Sequence, residues 1–371
     1  MGLGWWYFHE RQLPPYGPSY REYAYITNGK SNTVTVIDLL TFQTARTIQV
    51  GSEPTGVTAN SKKNEIYVVN SNSNNVTIID AEQNRVVASI GVHAKPYFID
   101  VSQDGKRAYT ANSGSNNVSI IDLERRVGDG NVRVGSAPGL ARVSPDGRTV
   151  VISNRESDNV SILDANRLQV RATLQTCREP GDIAILPDSS KAFVACSASN
   201  QVASIDLKSD KVLALLDVGQ MPVSLALKPD GGELIVSNFG SGSISIIETG
   251  TNEVSGSYLI GNQPSRGLVT ADNSRVYISN FGSNSVAVYD IDIGKMIAVL
   301  PVGSHPDALA LSQNQNYLLV LDSQSGDVTV IQKRKPRKLE PTEYSLLTMI
   351  PVGSEPNNVV VKSFVVQVPR N

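Results

Sequence analysis

The chain is patterned as short apolar runs separated by polar turns. Across residues 222–260, for example, runs of four to seven residues rich in Val, Leu and Ile alternate with turns built from Pro, Asp, Gly and Asn. This pattern is typical of β-strands joined by hairpins. No run has the period of about 3.6 residues expected of a helix long enough to cover a sheet. The sequence therefore predicts an all-β fold.

The same pattern recurs eight times. A proline that follows a Val-Gly-Ser-like turn recurs every 42 residues, except that the last step is 50 because that repeat carries an insertion of eight. The prolines are Pro54, Pro96, Pro138, Pro180, Pro222, Pro264, Pro306 and Pro356. Four strands in about 42 residues is the size of a β-propeller blade. The repeat predicts an eight-bladed β-propeller of four-stranded antiparallel blades.

The two ends of the chain do not coincide with a blade boundary. The first complete strand is predicted at 22–28, in the phase of a second strand, whereas the last, at 357–366, has the phase of a first strand. We therefore expect the C-terminal strand to close the ring by joining the N-terminal blade, which hides the edges of the sheet. The expected organisation is an irregular segment over 1–22 and a single propeller domain over 23–371.

Composition narrows the classes of partner. The chain is 40% hydrophobic and 18% charged, and 33 Lys and Arg against 35 Asp and Glu leave a net charge of −2. No apolar run approaches the roughly 18 residues of a membrane-spanning helix. The near-neutral charge gives no global field that would recruit nucleic acid. We expect a monomer with no nucleic-acid partner and no membrane span, and no signal peptide is recognisable in residues 1–20.

Several segments resemble the YVTN repeat, among them YVVN at 67–70, YISN at 277–280 and SPDG at 144–147. The resemblance covers residues 23–361. It implies the β-propeller family of archaeal surface-layer proteins and bacterial periplasmic or secreted proteins, and hence an extracytoplasmic location. Many members have seven blades, so eight departs from the commonest form. Lactonase-type propellers and the eight-bladed haem d1 domain of nitrite reductases are also similar at the level of the repeat.

The two loops expected to hold functional residues share one face of the ring. These are the loop before each innermost strand and the loop between the second and third strands; we call this side the funnel face. Residues there that break the repeat cannot be explained by needs common to all blades, so they are candidates for binding. We expect a small polar or anionic ligand, or a protein partner. The candidates are Asp100, Arg142, Asp182, Arg266, Arg178, Glu179, His305, Asp307, His93, Lys95, Tyr97 and Arg155.

Some of these features also have a structural interpretation. Asp100 and Arg142 occupy equivalent positions on consecutive blades, which predicts an ion pair between blades. Asp182 and Arg266 lie two blades apart, which favours contact with a ligand. The loop serine present in every repeat is predicted to bond turn backbone groups rather than a ligand. Phe239 on one blade and the equivalent aromatic on the next either grip a ligand or cover a loop.

No catalytic signature is present. The chain contains no Gly-x-Ser-x-Gly elbow, His-Glu-x-x-His motif or Walker loop, and His9, His93 and His305 are too dispersed for a three-ligand metal site. We expect a non-catalytic binding or scaffold propeller with no catalytic residues, no metal and no cofactor. The alternatives are a lactonase-like hydrolase and a haem d1-binding accessory propeller.

Two further features complete the sequence-based expectations. Cys177 and Cys196 are expected at the same rim of one blade but unbonded, because a straight hairpin offsets them by about four residues, beyond the ~7 Å Cα limit of a disulfide. A loop that curls back would bring them together. The basic run at 333–338 is expected to be a solvated loop, with an acidic partner as the alternative.

Overall fold

A computed structural model describes residues 17–334 and 343–366. These residues form eight separate four-stranded antiparallel sheets. The innermost strands contact one another in a closed series, so the sheets are the blades of a ring. The predicted eight-bladed β-propeller is confirmed. In the described ranges, no helix is long and apolar enough to cross a membrane.

The first four blades follow the chain from its N-terminal side. Blade 1 contains β1 (Tyr20–Asn28), β2 (Thr33–Asp38) and β3 (Gln43–Gln49). Blade 2 contains β4 (Pro54–Ala59), β5 (Glu65–Asn70), β6 (Asn75–Asp80) and β7 (Arg85–Gly91). Blade 3 contains β8 (Pro96–Val101), β9 (Arg107–Asn112), β10 (Asn117–Asp122) and β11 (Val127–Arg133). Blade 4 contains β12 (Pro138–Val143), β13 (Thr149–Asn154), β14 (Asn159–Asp164) and β15 (Gln169–Gln175).

The remaining blades repeat this order. Blade 5 contains β16 (Pro180–Ile185), β17 (Lys191–Cys196), β18 (Gln201–Asp206) and β19 (Lys211–Asp217). Blade 6 contains β20 (Pro222–Leu227), β21 (Glu233–Asn238), β22 (Ser243–Glu248) and β23 (Glu253–Leu259). Blade 7 contains β24 (Pro264–Val269), β25 (Arg275–Asn280), β26 (Ser285–Asp290) and β27 (Lys295–Pro301). Blade 8 contains β28 (Pro306–Leu311), β29 (Tyr317–Asp322), β30 (Asp327–Arg334) and β31 (Glu343–Pro351). Single-turn 3-10 helices lie at Arg155–Ser157 and Phe281–Ser283.

The last strand, β32 (Pro356–Val365), returns to blade 1. It pairs antiparallel with β1 along that strand's whole length and becomes the innermost strand of the blade. Phe364 is buried in a core cluster with Tyr25. The predicted closure by the C-terminal strand is confirmed. β1 begins at Tyr20 rather than at the predicted residue 22, because β32 is long enough to pair with two more residues.

A recurrent clasp holds the end of the second strand in each blade. In five blades an asparagine at this position donates from Nδ2 to side chains at the start of the third strand, as Asn70 does to Asn75 at 2.7 Å and to Thr77 at 2.8 Å. The turn before the innermost strand packs directly on the same side chain, since a Cβ on Gly51 would lie 2.7 Å from the Asn70 Cβ. We call this contact between turn and second-strand residue the strand-end clasp.

The turn before each innermost strand has an unusual backbone. The residue preceding the proline is a non-glycine residue with φ between 48° and 55° in every blade, a left-handed conformation that costs roughly 1–2 kcal/mol. Side chains from the preceding blade hold it, as when Lys95 N donates to Asn74 Oδ1. Seven of the eight loop serines accept the backbone N–H two residues before a proline, as Ser73 does from Ser52. The structural interpretation of these serines is confirmed.

Cys177 and Cys196 form a disulfide, with their Cα atoms 5.6 Å apart. The prediction that they are unbonded is wrong. The straight-hairpin geometry fails because Glu179 is left-handed, with φ 53°, and folds the turn back over the end of β17. The two cysteines occupy the two positions of the strand-end clasp, which are also in contact in the six blades that have glycine in the turn.

His9, the rest of the 1–16 segment and residues 335–338 of the basic run lie outside the described residues. The interpretation of residues 333–338 as a solvated loop therefore stays a prediction.

Candidate functional site

The charged candidates on the innermost strands converge on the axis of the ring. Arg266 of β24 interacts electrostatically with Asp182 of β16, Asp307 of β28 and Tyr97 of β8, which belong to three different blades. Burial would lower the pKa of Arg266, but Asp182 and Asp307 outweigh it and raise that pKa. Burial also raises the pKa of Asp307, with Arg266 opposing the rise. Side chains from four blades therefore form one cluster inside the channel. We call this cluster of Arg266, Asp182, Asp307 and Tyr97 the channel group.

Arg142 joins this group from blade 4. Its guanidinium lies 4.3 Å from the ring centroid of Phe98 and 4.0 Å from Asp182 Oδ1. The predicted ion pair between Asp100 and Arg142 is wrong. Asp100 instead accepts backbone N–H groups from Val101 at 3.1 Å and from Val143 at 3.0 Å, while Arg142 extends over Phe98 towards the next blade.

Asp182 makes the same kind of bridge as Asp100. Its Oδ1 accepts from its neighbour Ile183, and its Oδ2 accepts from Leu225 on the next blade, both at 2.9 Å. Each aspartate therefore fastens two adjacent innermost strands through their backbones. Charge-assisted hydrogen bonds of this kind are stronger than neutral ones. Asp100 and Asp182 therefore use their carboxylates to hold neighbouring blades together.

A cavity of about 830 Å³ opens on the funnel face where blades 7, 8 and 1 meet. His305 stacks on Phe281, with ring centroids 4.4 Å apart and planes 7° from parallel. Across the cavity, Lys30 forms an ion pair with Glu355. The walls are mostly polar. The lining residues are Lys30, Phe281, His305, Ser323, Gln324, Ser325, Gly326, Val352, Gly353, Ser354, Glu355, Pro356 and Asn357.

The remaining candidates lie around the funnel face and bond locally. His93 Nδ1 is 2.8 Å from Asn117 Nδ2, and Lys95 hydrogen-bonds to Asn72. Arg178 donates to the Ala198 carbonyl at 2.8 Å.

Glu179 accepts from Ser197 at 3.0 Å, and the side chain of Arg155 lies along Gly139. The structure thus brings Asp182, Arg266 and Asp307 together with Arg142 and Tyr97. It places His305 in the cavity and leaves the other turn residues apart.

Sequence reasoning did not identify the cationic and acidic walls of the cavity. Lys30 follows its strand-end asparagine by two residues, where the other repeats have Asn, Gly, Glu, Ala or Gln. Glu355 resembles the glutamates at the same position in other repeats, so nothing distinguished it. A comparison of every loop position, rather than only those near the prolines, would have found Lys30.

Comparisons with known proteins give partial matches. Residues 60–189 match the family model of the cytochrome D1 heme domain, and residues 249–353 match that of the seven-bladed lactonase propeller. No curated protein matches the chain. Because each family model covers less than half of the chain, neither establishes membership. The resemblance to YVTN-repeat propellers stays a prediction.

Solved structures share the fold at low sequence identity. Dihydro-heme d1 dehydrogenase NirN is 15% identical with a TM-score of 0.74, covering 91% of this chain and 74% of that chain. Hydrazine synthase from Kuenenia stuttgartiensis is 23% identical with a TM-score of 0.60, covering 72% of this chain and 91% of that one. A functionally unknown protein from Desulfotomaculum acetoxidans DSM 771 is 14% identical with a TM-score of 0.62, covering 91% and 98% respectively. These likenesses show the fold alone.

The cavity lining does not fit a haem. A tetrapyrrole needs broad apolar walls as well as an axial ligand. Only Phe281, Val352 and Pro356 among the lining residues are apolar, and His305, the one histidine of the lining, stacks face to face on Phe281. Among the described residues no group of three or more His, Cys, Asp or Glu could hold a metal ion.

Proposed function

We propose that this chain is a non-catalytic binding propeller that takes a small polar ligand, or a polar side chain of a partner, in the cavity between blades 7, 8 and 1. The observation that carries the proposal is the cavity itself, which is large enough for a small molecule and combines an aromatic platform with a polar wall. The stacked rings of Phe281 and His305 would contact the flat part of a ligand. Lys30 would exchange its Glu355 partner for an anionic group of the ligand.

The charged group in the channel adds little to the preference of the cavity, because its cations and anions balance. Arg266 interacts with Asp182 and Asp307, and Arg142 lies 4.0 Å from Asp182 Oδ1, so these acids offset most of the positive charge of the two arginines. The preference for an anion rests on Lys30, the cation in the wall of the cavity. We therefore expect carboxylates and phosphate esters to bind better than neutral molecules of the same size.

We also propose an extracytoplasmic location. The disulfide between Cys177 and Cys196 supports it, since such bonds form and persist in oxidising compartments.

Two catalytic or cofactor-binding alternatives remain as competitors. The family-model match over residues 60–189 favours a haem d1-type ligand, whereas the polar lining of the cavity argues against it. The match over 249–353 favours a lactonase-like activity and includes most of the cavity lining. An absorption spectrum of the protein after incubation with haem tests the first alternative, and hydrolysis of simple lactones tests the second.

A thermal-shift and calorimetry screen tests the proposed function directly. The probes are citrate, inorganic phosphate, glucuronate and a neutral sugar of similar size. We expect at least one anionic probe to bind, and His305→Ala or Lys30→Ala to weaken that binding roughly tenfold, which corresponds to ~1.4 kcal/mol. Gln263→Ala is the matched control, because Gln263 precedes a proline as His305 does but does not line the cavity. Equal weakening by all three variants would contradict the assignment of the site.

A further inference from the structure

Blade 8 carries two carboxyl groups in its strand-end clasp. Asp322 ends β29, and its cross-strand partner Asp327 begins β30. In blade 2 the equivalent positions hold Asn70 and Asn75, whose amides are 2.7 Å apart and share a hydrogen bond. Among the eight repeats, the combination of two acids occurs only here.

The pair lies in a dry environment. Asp322 is 0% exposed, and its Oδ1 has no hydrogen-bond partner, while its Oδ2 accepts from Thr329 at 2.6 Å. The Oδ1 of Asp327 is buried and also has no partner. The turn covers the carboxyl closely, since a Cβ on Gly303 would lie 2.7 Å from the Asp322 Cβ and Cγ. Water therefore cannot reach the Asp322 carboxyl, and it reaches only part of the half-buried Asp327.

Within the described ranges, no cation is among the groups that act on the pKa of Asp322. β30 presents Asp327 and Thr329 to Asp322, and the turn before β28 presents the Gly303 backbone. β31 places Pro351 opposite Asp327. Leu318 and Val320, on the same face of β29 as Asp322, pack on apolar side chains of blade 7, whereas Leu321 and Val328 pack on blade 1. The nearest titratable groups on the cavity wall are His305, Lys30 and Glu355, and the last two pair with each other.

Two adjacent buried carboxyl groups cannot both be ionised, so one proton shared between them is the stable state. A shared proton would give the Oδ1 atoms of Asp322 and Asp327 a hydrogen bond to each other, as the Asn70 amide gives Asn75 in blade 2. Burial raises the pKa of Asp322 to about 7, with Thr329 opposing the rise and Asp327 adding to it. The site therefore loses its proton in the neutral range rather than near pH 4.

We propose that Asp322 and Asp327 share a proton, and that losing it loosens the loop between them. The loop is residues 323–326, which the two acids bracket and which forms part of the cavity wall. Deprotonation leaves two negative charges at the base of this loop, and their repulsion pushes β29 and β30 apart there. The proposal concerns the loop itself, and its test needs no ligand, so it stands or fails separately from the proposed function.

The sign of the effect on stability follows from linkage. The acid is more basic in the folded state than in the unfolded chain, where its pKa is near 3.8. Stability from the shared proton is therefore fully present below pH ~4 and is lost as pH rises to about 7. Amide exchange in the loop should rise around pH 7, as the shared proton is lost.

Hydrogen exchange with mass spectrometry tests the proposal. In the wild-type protein, we expect the protection of residues 323–326, corrected for intrinsic exchange, to fall about tenfold between pH 6 and pH 8. The equivalent loop of blade 7, residues 281–284, is the internal control and should not change. Asp322→Asn restores the amide of the other blades and should abolish the pH dependence.

A second variant guards against misfolding of the first. Asp327→Asn leaves one carboxyl facing an amide that can donate to it, which removes the repulsion but not the burial of Asp322, and should shrink the dependence. The proposal is overturned if protection of residues 323–326 is independent of pH in the wild-type protein, or if the same fall persists in both variants.

Discussion

At the scale of single residues, one position of the repeat carries three different chemistries. In most blades the strand-end clasp is an amide that bonds the third strand, as at Asn154. In blade 5 it is the disulfide of Cys196, and in blade 8 it is the carboxyl of Asp322. The geometry of the clasp is fixed by the turn that packs on it, so the fold tolerates any side chain that bonds locally.

The aspartates of the innermost strands lead to a prediction at the same scale. Asp182→Ala leaves the N–H groups of Ile183 and Leu225 without their acceptor and removes the anion beside Arg142. We expect a loss of ~1–3 kcal/mol in the free energy of unfolding, measured by urea denaturation. Arg178→Ala, which removes one exposed hydrogen bond, is the control and should change stability by less than ~0.5 kcal/mol. Similar values for the two variants would show that the bridge between blades contributes little.

At the scale of the element, the turn before each innermost strand adds contacts to the hydrogen bonds between the strands of a blade. The eight left-handed residues before the prolines turn the chain back over the strand-end clasp and direct their side chains towards the funnel face. This turn is why Cys177 reaches Cys196. The sequence carries a signal for it, since the glycine and the asparagine of the clasp are replaced together in this repeat.

Restoring the usual clasp tests this account of blade 5. The double variant Cys177→Gly/Cys196→Asn should fold, because the introduced amide can donate to Gln201 as Asn154 donates to Asn159, although Ala203 stands where blade 4 has the second acceptor, Ser161. We expect it to melt below the oxidised parent, since a disulfide closing a short loop is worth roughly 2–4 kcal/mol. It should melt at or above the reduced parent. A double variant that does not fold would show that the two clasps are not interchangeable.

At the scale of the whole molecule, the ring depends on its last strand. β32 supplies Val359, Val361 and Phe364 to clusters shared by blade 1 and its neighbours. Each such side chain is worth ~1.5–3 kcal/mol when fully buried. Ending the chain after Pro356 should therefore cause cooperative loss of the fold, seen by circular dichroism and thermal melting. A truncated chain that melts within a degree or two of the parent would contradict closure.

The repeat made the architecture predictable, because strand length, turn residues and register recur eight times. The site was harder to predict, because its members meet through the ring rather than along the chain. Arg266 interacts with Asp182 and Asp307 across the channel. The spacing of residues in the sequence does not indicate which side chains of different blades meet there. Arg142 bypasses Asp100 because Phe98 offers its ring, a choice that only side-chain packing decides.

The central claim is that the funnel face binds a small polar ligand between blades 7, 8 and 1. The most direct test is a crystal structure of the protein with the tightest-binding probe of the thermal-shift screen. We predict ordered density against the paired rings of Phe281 and His305, within hydrogen-bond distance of Lys30. Density at the opposite face of the ring, with this cavity filled only by water, would contradict the claim.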